Sequence, residues 1–145
     1  MKLKNACGAV VVSTIATQSV PRMGSVDVVK HTPIVSRYMA RADVAITSAG
    51  RTVFELASLG VPMIVVPQND RECRHAFALE SPGVVPLPRA SELSELEFLG
   101  ATHELITSRH LRSNLHRSLR AADIRGGIDR TLEVIERAVN AKEDS

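Results

Sequence analysis

The stretch Ala42–Pro88, ADVAITSAGRTVFELASLGVPMIVVPQNDRECRHAFALESPGVVPLP, decides the fold. Two apolar runs within it, Val44–Thr47 and Met63–Val66, are rich in β-branched residues, and each leads into a polar turn. A helix is expected from Thr52 to Leu59, stopped by Gly60, with Val61-Pro62 opening the next strand. A second helix is expected over Arg71–Leu79, ahead of a short strand at Val84–Pro86. Strands and helices alternating on this scale make βαβ units. The runs are apolar throughout rather than alternating, which calls for cover on both faces of the sheet.

Upstream, Ala9–Ser13 and Val26–Lys30 read as strands and Pro33–Ala42 as a helix, with Pro33 suited to its first turn. Downstream, residues 91–122 read as helix, with a break near Gly100 or Arg109. Around and beyond Gly126-Gly127, the residues Ile124, Ile128, Leu132, Ile135 and Val139 form one apolar helical stripe. Burial in the chain's own core is the favoured reading of that stripe, and a partner chain is the alternative. The sequence therefore predicts an α/β fold. It is a Rossmann-like, mostly parallel sheet of four to five strands with helices on both faces and a helical C-terminal third. One domain over residues 1–145 is the simplest organisation.

Composition agrees with this. The chain has 145 residues, 44% hydrophobic and 23% charged, which excludes a disordered chain or a disulfide-rich miniprotein. Aromatic residues make up only 3%, so the core must be built from Val, Ile, Leu and Ala. Eighteen Lys and Arg against sixteen Asp and Glu leave a net charge of +2, too balanced for a protein that coats nucleic acid. Arg109, Arg112, His116 and Arg120 share a helical face. That face reads as solvated surface, with peripheral contact to an anionic membrane as the variant. Without interleaved aromatic residues it does not read as a nucleic-acid surface. Cys7 and Cys73 have no metal or redox spacing, and are expected as buried thiols in a reducing compartment. No apolar run is long enough to span a bilayer. The start, MKLKNACGAVVVSTIATQ, has the outline of a signal peptide, but a strand explains it as well. The strand reading leaves a cytoplasmic protein.

The candidate site lies in the two polar turns. Ser48-Ala49-Gly50 follows a strand and precedes a helix, and in open α/β sheets ligands bind beyond the carboxyl ends of strands. The first N–H groups of that helix favour an anion such as phosphate, and Gly50 permits close approach. Glu55, one turn inside, is placed to meet a diol. Gln68-Asn69-Asp70 forms the second turn, followed by Glu72 and His75. Simpler readings stand beside these. Thr52-Val53-Phe54-Glu55 fits a capping box, Asn69 or Asp70 fits a helix N-cap, and Glu72 and His75 fit solvated helix positions. The chain has no G-x-x-x-x-G-K-[ST] and no G-x-G-x-x-G, which removes most support for an ATPase or a dehydrogenase. No metal or cofactor is implied.

In order, Ala42-Asp43, Ser48-Ala49-Gly50, Thr52, Glu55, Leu59-Gly60-Val61-Pro62 and Val66-Pro67 resemble the C-terminal, donor-nucleotide domain of glycosyltransferases with the B-type two-Rossmann fold. Similar enzymes include the N-acetylglucosaminyltransferase that completes lipid II, the UDP-sugar hydrolase of pseudaminic acid synthesis and the split dolichol-pathway transferase subunit. The match runs from Val26 to Pro88. The resemblance implies a UDP-sugar donor. It places Glu55 on the ribose hydroxyls, Ser48, Gly50, Arg51 and Thr52 beside the diphosphate, and Glu72 on the donor sugar, with Asn69 of the same turn a further substrate-binding candidate. Lys30-His31-Thr32 falls at the loop that reads the base. His75 stands where the lipid II enzyme has Asn, which leaves the sugar open. The family's first strand, its glycine-rich loop and its N-terminal acceptor domain have no counterpart here, so no catalytic residue is assigned. A split enzyme with a partner chain, a truncated product and a non-catalytic interaction module using the C-terminal helices all fit that pattern.

Overall fold

The computed structural model describes residues 9–13, 26–30 and 32–143. The chain divides into two compact units, Met1–Arg41 and Ala42–Ser145.

In the first unit, β1 (Ala9–Ser13) and β2 (Val26–Lys30) pair in parallel, with Ala9 opposite Val26 and Ser13 opposite Lys30. The helix expected over Pro33–Ala42 is shorter: α1 covers only Ser36–Met39. Pro33 stays outside it, because Thr32 Oγ1 accepts the Ile34 N–H at 3.2 Å and holds the chain in a turn there. Cys7 and His31 lie outside the described residues.

The second unit is built on three parallel strands, β3 (Ala45–Thr47), β4 (Met63–Val65) and β5 (Val84–Pro86), in the order β3-β4-β5. All five expected strands occur. They pair as one two-stranded and one three-stranded sheet, in place of a single sheet of four to five strands. Central β4 is buried along its whole length. Successive strand side chains point to opposite faces, so a fully buried strand needs packing on both. Ile64 and Val66 pack with Leu105 of α4 (Glu95–Thr107) and Leu115 of α5 (Arg109–Ala121). Each large aliphatic residue buried in this way contributes roughly 1.5–3 kcal/mol.

Helix α2 (Thr52–Leu59) ends where Gly60 turns to φ +72°. There Val61 N–H bonds Leu56 C=O and Gly60 N–H bonds Ala57 C=O, the paired pattern of a Schellman stop. The single helix expected over Arg71–Leu79 is broken instead into a 3₁₀ turn, Glu72–Arg74, and α3 (Ala76–Glu80). His75 lies between them with ψ at 85°, outside helical range. Cys73, expected buried, is a free and exposed thiol on that turn.

The break in the C-terminal third falls at Ser108, whose hydroxyl caps α5 by accepting the Leu111 N–H. Gly100 sits inside α4. Helix α4 opens with a capping box, Ser94 and Glu97, which the sequence reading passed over. The Ser94 hydroxyl and its backbone N–H, both donating to the Glu97 carboxylate, hold that carboxyl below its usual range. A second 3₁₀ turn, Ile124–Gly126, leads into α6 (Gly127–Glu143). The α6 stripe is not in the core: Ile128 is 74% exposed, and Leu132, Ile135 and Val139 are about half exposed. The basic face of α5 is not simple solvated surface either. Arg112 donates to the Leu105 and Ile106 carbonyls at the end of α4, and Arg120 to the Ser58 carbonyl at the end of α2. His116 Nδ1 meets the Gly60 carbonyl at 2.6 Å. These groups satisfy helix C-terminal carbonyls, where positive charge is favoured. No helix among the described residues is long and apolar enough to cross a membrane.

Candidate functional site

The candidate site sits at the carboxyl ends of β3 and β4, within the second unit. From β3 the chain passes through Ser48, Ala49 and Gly50 into α2. Arg51 occupies the N-cap position and makes no side-chain cap bond. The capping box that Thr52 and Glu55 could have formed is therefore absent. Val53 N–H reaches Gly50 C=O at 3.3 Å and Phe54 N–H reaches Arg51 C=O at 3.0 Å. The N–H groups of Gly50, Arg51 and Thr52 meet no acceptor among the described residues. Glu55 lies one turn in, exposed, at the acidic position of the first turn.

At Gly50 the backbone does not itself demand glycine. Its φ is not in the left-handed region, and among the described residues a Cβ there would meet only the Ser48 hydroxyl, at 3.5 Å.

From β4 the chain passes Val66-Pro67 into Gln68, Asn69 and Asp70. Asn69 Oδ1 accepts the Glu72 N–H at 3.1 Å, the local capping role open to it from sequence. The two turns are joined by side chains. Glu72 Oε2 accepts the Gln68 N–H at 2.9 Å and the Ala49 N–H at 3.2 Å. His75 Nδ1 meets the Ala49 carbonyl at 2.7 Å. The His75 ring lies 5.2 Å from that of Phe54 on α2, and Phe54 stacks on Phe77 of α3 at 4.7 Å. On the far side, Arg89 pairs with Asp70 at 2.7 Å, and Ala90 N–H bonds Pro67 C=O.

Of the sequence-derived residues, Ser48, Gly50, Arg51, Thr52 and Glu55 line the first turn and helix start. Asn69, Glu72 and His75 belong to the second turn, and the last two reach across to the first. Ala49, Phe54, Phe77 and Arg89 were not singled out from the sequence. A usable signal existed for two of them: Phe54 and Phe77 are two of only three phenylalanines, and both flank these turns. Among the described residues, no group of three or more His, Cys, Asp or Glu gathers to hold a metal ion.

Comparison with known proteins places the chain in a family. No curated protein matches the sequence. A crystal structure of the glycotransferase of kitacinnamycin matches at a TM-score of 0.58 and 21% identity, over 90% of this chain. The chain spans 43% of that protein's length. At that identity the likeness speaks for the fold alone. Residues 1–121 match the glycosyltransferase family 28 C-terminal domain, so the match ends with α5 and leaves α6 beyond it. The chain belongs to the family of glycosyltransferase family 28 C-terminal domains.

Proposed function

We propose that the chain binds a nucleotide-sugar donor, a UDP-sugar, as the donor domain of a glycosyltransferase or UDP-sugar-processing enzyme. The observation that carries this reading is the start of α2, whose N–H groups meet no acceptor among the described residues, flanked by a second polar turn tied to it. Backbone N–H groups of that kind, at the positive end of a helix, suit a diphosphate. Arg51 adds a cation and Ser48 a hydroxyl at the same turn. The Glu55 carboxylate accepts hydrogen bonds from the ribose hydroxyls. Asn69, Glu72 and His75 bound the side on which the sugar sits.

In glycosyl transfer the acceptor oxygen forms a bond to the anomeric carbon while the bond to the nucleoside diphosphate breaks. The charge that develops on the departing diphosphate is stabilised by fixed donors, which the α2 start supplies. The acceptor hydroxyl must lose its proton to a base, and no residue of this chain is assigned that role. Catalysis belongs to the chain together with an acceptor-binding N-terminal half, in the same protein or in a partner chain. The exposed α6 stripe is consistent with such a partner. A cytoplasmic location, where nucleotide sugars are available, is part of the same proposal. Calorimetric titration with UDP and UDP-N-acetylglucosamine tests it. Binding below millimolar concentration is expected, and the absence of binding by both ligands at millimolar concentration would overturn it.

A further inference from the structure

We propose that Glu72 and His75 are positioning residues, which grip the Ala49 peptide from both sides and so set the direction of the Gly50–Thr52 N–H groups. Both reach the same residue across more than twenty positions of sequence. Glu72 Oε2 takes the Ala49 N–H and His75 Nδ1 faces the Ala49 carbonyl. A carbonyl can only accept, so the proton sits on His75 Nδ1. Ala49 itself is 2% exposed, so water does not substitute freely for either partner.

The grip is braced from behind. The same Glu72 oxygen takes the Gln68 N–H, which ties the β4 turn to the β3 turn through one atom. Asn69 Oδ1 holds the Glu72 backbone N–H. Phe54, on the first turn of α2, holds the His75 ring. The non-helical ψ of His75 breaks the helix at the residue whose ring turns toward Ala49. A carboxylate oxygen shared by two N–H groups, the Ala49 one part-buried and the Gln68 one exposed, is among the stronger hydrogen-bond arrangements, and its loss leaves the Ala49 donor unsatisfied.

This inference rests on the proposed donor site, and it separates from direct sugar contact by ligand. A side chain that reads the sugar affects UDP-N-acetylglucosamine and spares UDP. A side chain that sets the diphosphate turn affects both equally. Calorimetry of the full chain should show Glu72→Ala and His75→Ala weakening UDP and UDP-N-acetylglucosamine by the same factor, about tenfold. Glu72→Gln keeps an oxygen acceptor of the same reach and should recover both affinities to within about threefold. Amide exchange by NMR supplies a readout that needs no ligand. The Ala49 and Gln68 amides should be protected in the parent chain, exposed in Glu72→Ala and protected again in Glu72→Gln. Loss confined to UDP-N-acetylglucosamine would overturn the proposal, as would unchanged Ala49 exchange in Glu72→Ala. If Glu72→Ala fails to fold, His75→Ala and Glu72→Gln still decide it. If the parent chain binds neither nucleotide, the donor-site reading fails, and Ala49 exchange alone judges the grip.

Discussion

Gly50 shows how a residue's role is read from what the fold does not require. The backbone there is not left-handed, and among the described residues a methyl group would find only ordinary contact with the Ser48 hydroxyl. Alanine should therefore leave the fold intact, and can even stabilise it by about 0.4–1 kcal/mol through the unfolded chain. In the proposed site the same methyl group would stand in the way of the diphosphate. Gly50→Ala is expected to keep or raise the melting temperature while weakening UDP by about tenfold. A fall in both would place the glycine's role in folding. Gly60 is the opposite case. Its φ is +72°, and a Cβ would lie 2.8 Å from the His116 ring and 2.9 Å from Arg120 Cδ. Gly60→Ala should cost about 2 kcal/mol in a denaturant melt, from the left-handed backbone and the displaced His116 contact. Nucleotide affinity of the folded fraction should hold.

At the scale of elements, strands were legible from short runs of β-branched residues bounded by Gly and Pro, and of β3, β4 and β5 only β4 is covered on both faces along its length. Helix α2 was legible from its stop at Gly60. Misreadings gathered where tertiary bonds outvote local pattern. Arg71–Leu79 has helical spacing, yet the reach of His75 to Ala49 breaks it. Thr52-x-x-Glu55 has the letters of a capping box, yet the chain forms that motif at Ser94 and Glu97 instead. The two turns of the site could be located from sequence, but the bond from Glu72 to Ala49 could not, because nothing local links residues so far apart. The start of α6 carries a pH-dependent contact. Arg130 donates to the Asp123 carboxylate, as does the Gly126 N–H, and both hold that carboxyl below its ordinary range. A lowered folded-state value means the contact stabilises above the ordinary carboxylate range, and is lost as pH falls through the lowered value. Acid titration followed by NMR should show the Asp123 carboxyl titrating below an unpaired Asp. Arg130→Ala should move it back up.

At the scale of the molecule, the α/β unit from Ala42 onward carries the candidate site, and the chain's family match ends at Ala121. The chain covers less than half of the glycosyltransferase structure it resembles. Helix α6, beyond the family match, carries an apolar stripe that the described residues leave exposed, so its packing was not decided by its periodicity. An apolar stripe at helical spacing is a packing surface, and its spacing does not state what it packs against. If the start of α2 and Glu55 together receive a nucleotide sugar, calorimetric titration of the full chain and of Glu55→Ala with UDP will show it. Binding below millimolar concentration is expected for the full chain, with about a tenfold loss in Glu55→Ala and an unchanged melting temperature. Equal affinity in the two proteins, or no binding by the full chain at millimolar UDP, rules that reading out.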